Sequence, residues 1–292
     1  MPRADSISRP WNDRNVRPLA NREFEQIRRL ARQAFGLDLR EGKQELVAAR
    51  LQRLVQAGGF RSYQEYYRHV LSDSSGESLK ALIDALATNH TAFLREPDHF
   101  ELLSKQVVPE LAGRPSIDVW SAGCSTGEEV WTLVFVLREA LSNGKFRVIG
   151  SDISRKALEF ASRAVYPAER VRTLPPAWQE GGFVRQASPP GSYSVKSALR
   201  AHAMFRRANL IKPAPWPIQF PVIFCRNVMI YFDGATQAQV IANLTAKLEV
   251  GGYLFVGHAE SFSGVDHGLK YIRPAVYRKA ISKRGGPWSE SS

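Results

Sequence analysis

Apolar residues recur at helical spacing through the first part of the chain. Phe24, Ile27, Ala31, Ala34 and Phe35 form one stripe, stopped by Gly36. Val47, Leu51, Leu54 and Val55 form a second, ended by Gly58-Gly59. Ser62 with Glu65 has the spacing of a capping box, followed by Tyr66, Tyr67, Val70 and Leu71. Leu79, Leu82, Ile83 and Leu86 make a fourth stripe. The spacing predicts an all-helical module over residues 18–88.

Beyond Pro97 the period changes. "SIDVWSAG", "FRVIGSD", "PVIFCRNVMIYF" and "YLFVGH" contain strand-like runs. Between them lie the helix-like "EEVWTLVFVLREAL", "SRKALEFASRAV" (capped by Ser154) and "TQAQVIANLTAKL", the last ended by Gly251-Gly252. Strands alternating with helices predict an α/β fold, a doubly wound parallel sheet, over residues 89–282. The rhythm breaks between Tyr166 and Asn209, where a loop or small β insertion is expected at about 168–205. "MPRADSISRPWNDRNVRPLA" has arginines but no apolar core region. It reads as a loosely ordered tail, and "GGPWSESS" as a frayed end.

The turn "AGCSTGEE" joins the first strand to its helix. In open α/β sheets ligands bind beyond the carboxyl ends of the strands, and small residues let backbone approach them. A Walker loop needs a lysine that this turn lacks. Glu128 and Glu129 would repel a pyrophosphate and suit an amine, a hydroxyl or a positive sulfur. Taken alone, the two acids serve equally well as complements to the helix dipole, at about 0.3–1 kcal/mol each. Asp152 ends the second strand at the same sheet edge, where an acid commonly accepts hydrogen bonds from ribose hydroxyls. The combination points to an adenosine ligand with a short cationic arm, S-adenosylmethionine, and away from NAD.

Composition adds three things. Forty basic against 28 acidic residues give a net charge of +12, which favours a polyanionic partner without naming it. Cys124 and Cys225 are the only cysteines, too few for a disulfide framework or a zinc site, so a cytoplasmic location is expected. No apolar run reaches membrane-spanning length, so no direct membrane insertion is expected.

Five ordered blocks, "TNHTAFLREPDHF", "WSAGCSTGEE", "SDISRKALEFASRAVY", "FCRNVMIYFD" and "GGYLFVGHAESF", resemble those of CheR-type chemotaxis receptor methyltransferases. "GLDLREGKQELVAARLQRL" resembles that family's helical domain. The resemblance implies methyl transfer from S-adenosylmethionine to glutamate side chains of chemoreceptors, with γ-methyl esters and S-adenosylhomocysteine as products. It implies that Asn89, Thr91 and Arg95 line the cofactor and reaction site. Glu128, of the two glutamates, would contact the methionine part and Asp152 the ribose. Asn209 and Leu210 would lie beside the adenine, Arg226 and Asn227 would complete the pocket, and Tyr231 would face the substrate. The implied partner is the cytoplasmic signalling domain of a receptor, bound by a monomer with no nucleic acid involved.

The chemistry needs no general base, because a glutamate of reference pKa about 4.3 is ionised at neutral pH. Orientation for in-line displacement can supply on the order of 7–11 kcal/mol. An arginine can hold a carboxylate by two parallel hydrogen bonds, Arg95 being the first choice and Arg226 the second. Each residue also has a plain structural reading: Arg95 pairing with Glu96, Asn89 and Thr91 as caps, Arg226 as a core ion pair, Tyr231 as packing. Lys43, Arg50 and Arg53 form a basic stripe on the second helix, either a solvated face or a docking strip for an acidic partner. His90 and His99 lack metal-ligand spacing and read as structural, so no metal is expected. The family's peptide-gripping β subdomain corresponds to about 183–205, which holds "SPPGS" and little alternation, leaving receptor tethering open. A nucleic-acid methyltransferase of the same sheet class and a non-catalytic cofactor-binding scaffold are the competing functions.

Overall fold

The computed structural model describes residues 16–141, 144–262 and 267–280. The expected N-terminal tail, up to residue 15, and the "GGPWSESS" end lie outside the described residues. The chain divides into two compact units. One runs up to Gln33 and resumes at Leu39–Leu86; the other combines Ala34–Asp38 with Ala87 onward. No helix among the described residues is long and apolar enough to cross a membrane.

The first unit holds the helices α1 (Asn21–Phe35, its last two residues counted with the other unit), α2 (Gln44–Ala57), α3 (Tyr63–Ser72) and α4 (Glu77–Leu86). Their apolar stripes supply its core: Phe24 and Ile27, then Val47, Leu51 and Val55, then Tyr66 and Val70, then Leu82, Ile83 and Leu86. Leu71 departs from its stripe and is exposed. Ser62 caps α3 by accepting the Glu65 N–H at 3.2 Å, while Glu65 accepts from Arg61, one residue before the position a capping box uses. Glu23 is buried and accepts the N–H groups of Ala20 and Gln64 at 2.8 and 3.0 Å.

The basic stripe of α2 is not uniform. Lys43 sits at the N-cap and, like Arg53, is exposed. Arg50 is half-buried and donates to the Leu86 carbonyl at 2.6 Å, satisfying an acceptor that the last turn of α4 leaves open. Arg50 thus has a part in the fold of the helical unit.

The second unit is built on a seven-stranded sheet. In chain order the strands of this unit are β1 (Ile117–Ala122), β2 (Phe146–Asp152), β3 (Val165–Pro167), β4 (Phe183–Arg185), β5 (Ser192–Val195), β6 (Ala203–Arg207), β7 (Phe220–Cys225), β8 (Leu248–Val256), β9 (Leu269–Arg273) and β10 (Val276–Lys279). The large sheet has the order β6-β2-β1-β7-β8-β10-β9. From β6 to β8 all pairs are parallel, and β10 runs antiparallel to both its neighbours. The expected parallel sheet runs from β6 to β8, and the sheet becomes mixed at one end, where a tight β9–β10 hairpin replaces a helical crossover. All six residues of β7 are buried, as a central strand covered on both faces requires. Val222 and Phe224 face one core layer, with Trp131, Phe135 and Phe255; Ile223 and Cys225 face the other, with Trp120, Ile241 and Leu244.

Two further expectations change. The helix Gly234–Lys247 ends before Gly251-Gly252, and both glycines lie inside β8. Gly251 has φ +77° and the β7–β8 register shifts between Phe220 and Val222, so the glycines serve an irregular strand. The insertion is a three-stranded antiparallel sheet, β3-β5-β4, that starts at Val165. "AHAMF" is not part of it, since Ala203–Arg207 is the edge strand beside β2.

Phe224 is fully buried, stacked on Phe255 at 4.3 Å and on Phe100 at 5.7 Å between ring centroids. Phe224→Ala is expected to lower unfolding stability by about 3–5 kcal/mol in chemical denaturation, through lost contacts and the cavity left behind.

Candidate functional site

The turn after β1 is shaped by backbone that only small residues accept. Gly123 and Gly127 have φ of +86° and +92°. A Cβ at Gly123 would lie 2.5 Å from Val228, and one at Gly127 would lie 2.7 Å from Ala161. Gly123 and Cys124 donate to the Ser151 carbonyl at 2.7 and 2.9 Å, which locks the turn to the end of β2. Asp152 follows; its carboxylate accepts the N–H groups of Ser125 and Ser154 at 2.8 and 2.9 Å. The side chain at the strand end is thereby oriented before any ligand arrives.

Beyond this edge opens a cavity of about 1030 Å³, counting its mouth. Asn89, Thr91, Arg95, Asp152, Asn209, Leu210, Arg226, Asn227 and Tyr231 all line it. Glu128 does not. It is fully buried, accepts from Thr126 at 2.6 Å and pairs with Arg170 of the insertion. Glu129 lines the cavity instead, accepting from Ser121 at 2.7 Å and Arg226 at 3.2 Å. Successive helix residues point about 100° apart, and here that offset sends Glu128 toward Arg170 and Glu129 toward the cavity. Burial pushes the Glu129 carboxyl up, against the opposing pull of Arg226 and Ser121.

Arg226 directly follows β7 and its side chain is only 1% exposed. Its guanidinium donates to Glu96 at 2.8 and 3.3 Å, to Glu129 at 3.2 Å and to the Arg95 carbonyl, and lies over the Phe100 ring. Each nitrogen of the fork has a partner, so Arg226 serves as a core ion pair at the cavity wall and has fewer donors left for a substrate carboxylate than Arg95. Arg95 does not pair with Glu96; its guanidinium donates to the His90 carbonyl at 3.1 Å. Among the described residues six non-glycines have positive φ, and four of them belong to this region: Leu94 and Glu96 on either side of Arg95, Ser125 in the turn and Asn227. Such conformations cost on the order of 1–3 kcal/mol each, and the hydrogen bonds around them hold them in place.

Residues 34–38 close another side of the cavity through Phe35 and Leu37. Asn209 donates to the Ala34 carbonyl at 2.9 Å, and Asp38 donates to the Tyr231 carbonyl at 2.8 Å. Sequence reasoning names Glu129 as one of the two acids of the turn, without preferring it, and Glu96 only as a partner for Arg95; it misses this segment, where Phe35-Gly36 reads as a helix end.

Glu96, His99 and His258 converge within 4.8 Å, a grouping that linear spacing did not reveal. The cation beside this carboxylate is already the Arg226 guanidinium. His99 is fully buried and its pKa is lowered to about 4, mainly by burial and then by Arg226, so the ring is neutral. Both cysteines are buried, and burial raises their thiols well above the ordinary value, which leaves neither suited to nucleophilic attack.

The cavity fits a nucleoside carrying an amino-acid arm. Carboxylates of Asp152 and Glu129 stand on one wall, and the Ser125 hydroxyl is buried without a partner among the described residues. Phe35, Leu37, Leu210 and Phe232 supply apolar surface elsewhere. Fold and cavity together define the class of S-adenosylmethionine-dependent methyltransferases. Residues 89–277 match the "CheR methyltransferase, SAM binding domain" and residues 22–87 the "CheR methyltransferase, all-alpha domain". The chain belongs to the CheR methyltransferase family. It is 34% identical over 268 residues to a chemotaxis protein methyltransferase of Borreliella burgdorferi, covering 88% of this chain and 94% of that one. It is 36% identical to chemotaxis protein methyltransferase 2 of Pseudomonas aeruginosa, over 88% and 93% of the two chains. With the chemotaxis protein methyltransferase of Klebsiella aerogenes it shares 37% identity over 89% and 90%. The protein is thus an S-adenosylmethionine-dependent methyltransferase of chemotaxis.

Burial alone would raise the Glu96 carboxyl, but hydrogen bonds and charge from Arg226, with Asn227 and His258, hold it below its ordinary value of 4.5. A depressed carboxylate contributes stability above its unfolded pKa, and that stability is lost as pH falls through the folded value. Arg226→Gln removes the main depressing partner, so loss should begin at higher pH. The acid-unfolding midpoint, followed by circular dichroism, is expected to rise. At neutral pH the variant is expected to lose about 3–5 kcal/mol, because Glu96 and Glu129 are left without their cation.

Proposed function

We propose that the protein transfers a methyl group to glutamate side chains in the cytoplasmic signalling domain of chemoreceptors, forming γ-methyl esters. The observation that carries this reading is the contrast between the two arginines of the cavity. Arg226 is consumed by Glu96, Glu129 and a carbonyl, whereas the Arg95 guanidinium at the cavity wall makes one hydrogen bond to a carbonyl. A guanidinium so placed can hold an incoming carboxylate by two parallel N–H···O bonds.

Bound S-adenosylmethionine supplies an electrophilic methyl group on a sulfonium, so the acceptor needs orientation rather than deprotonation. Asp152 is oriented to bind ribose hydroxyls, Glu129 to bind the amino-acid arm, and Asn209 and Leu210 to flank the base. Asn89, Thr91 and Asn227 complete this wall. Tyr231 faces the substrate and orients it by hydrogen bonding, with no proton to take. A carboxylate and a sulfonium neutralise one another on reaction, so the apolar lining of Phe35, Leu37 and Phe232 favours transfer by excluding water. Lys43 and Arg53, exposed on α2, serve receptor docking, and the enzyme works in the cytoplasm as a monomer.

The test is tritium transfer from labelled cofactor into the cytoplasmic fragment of a cognate receptor. Label released by mild alkali supports a carboxyl ester; label that survives alkali, or enters only nucleic acid, rejects it. Arg95→Ala is expected to lower turnover roughly 10²-fold at saturating receptor, as a misplaced acceptor does. Arg53→Ala is expected to raise the receptor KM and leave turnover near that of the unsubstituted enzyme.

A further inference from the structure

Glu260 follows β8 and is 7% exposed. Its carboxylate collects four backbone N–H groups. One oxygen accepts from Met229 and Ile230 at 2.7 and 3.4 Å, the other from Asn227 and Gly257 at 2.9 and 2.6 Å. Among the described residues it forms no ion pair; burial pushes its carboxyl up, and the N–H groups of Gly257, Asn227, Met229 and Ile230 pull against that rise. Three of the four donors belong to one short segment. Met229–Tyr231 is a single helical turn whose leading N–H groups have no partner within it, and Asn227 stands in the left-handed region at φ +58°. Glu260 therefore caps that turn from the loop after β8 and holds a residue whose conformation is unfavourable on its own. The same segment turns Asn227, Val228 and Tyr231 into the cavity.

We propose that Glu260 is a positioning residue for methyl transfer, acting through Tyr231: it fixes the 227–231 turn and so sets where the phenol meets the acceptor carboxylate. The inference rests on the reading of Tyr231 as substrate-facing. Glutamine in this place keeps one oxygen and turns an NH₂ group against a pair of N–H donors, so half of the cap is lost and replaced by repulsion. Gly257 offers a second handle. A Cβ there would lie 2.5 Å from Asn227 Nδ2, 2.9 Å from Asn227 N and 2.9 Å from Glu260 Oε2. Gly257→Ala thus displaces the same junction while leaving the carboxylate present.

The experiment is a double-mutant cycle of Glu260→Gln with Tyr231→Phe in the full chain. It reads kcat with a cognate receptor fragment, Kd for S-adenosylhomocysteine by calorimetry, and Tm. Glu260→Gln is expected to lower kcat at least about tenfold with Kd changed less than about threefold, and to add less than about twofold when Tyr231 is already phenylalanine. A loss in the double variant equal to the product of the two single losses would overturn the inference, as would a kcat for Glu260→Gln within about twofold of the unsubstituted enzyme. If Tyr231→Phe lowers kcat and Glu260→Gln does not, the inference alone fails; if Tyr231→Phe leaves kcat unchanged, the reading of Tyr231 fails and the inference with it. Should Glu260→Gln not fold, Gly257→Ala carries the cycle with the same expected pattern, and an unchanged kcat there overturns the proposal.

Discussion

A single guanidinium organises the reaction end of this molecule. Arg226 leaves the carboxyl end of the central strand and meets Glu96 from the loop before the helix Pro97–Leu102, Glu129 from the helix Glu128–Ala140, and the Arg95 carbonyl. Taking one arginine and two carboxylates out of water is expensive, and mutual attraction offsets that only if the remaining donors and acceptors are also satisfied. Here they are, by Asn227 and the His258 N–H on Glu96 and by Ser121 on Glu129. The network joins three segments distant in sequence at one point, and the cavity lies beside it.

That arrangement separates two arginines that look alike in a linear reading. Both fall in motif blocks, and both could hold a carboxylate. Desolvation decides between them. Arg226 is sealed among acids and aromatic rings, whereas Arg95 is held only by a carbonyl at the cavity wall. The two adjacent glutamates divide in the same way. Glu128 turns toward Arg170 and helps seat the insertion, while Glu129 turns toward Arg226 and the cavity.

The cavity is also where the backbone is least relaxed. Left-handed conformations at Leu94, Glu96, Ser125 and Asn227 are imposed by contacts from elsewhere. Asp152 receives the Ser125 N–H, Arg226 grips the Glu96 carboxylate, and Glu260 receives the Asn227 N–H. A site built in this way is formed before its ligands arrive, which suits a reaction whose main requirement is alignment.

Much of this was legible in the chain itself. Helical spacing from Phe24 to Leu86 and strand–helix alternation after Pro97 follow from side-chain periodicity, which is a local property. The absence of a lysine after "AGCSTG" and the acid ending β2 pointed away from phosphate by charge alone. Tertiary structure decided what depends on direction and distance. It chose Glu129 over Glu128, committed Arg226 and Arg50 to internal partners, placed "AHAMF" in the main sheet, and made Glu260 the cap of a turn some 30 residues earlier. Residue type states what a side chain can do. Which partner it finds depends on the rotation of a helix and the packing of segments remote in sequence, and neither is written in local spacing.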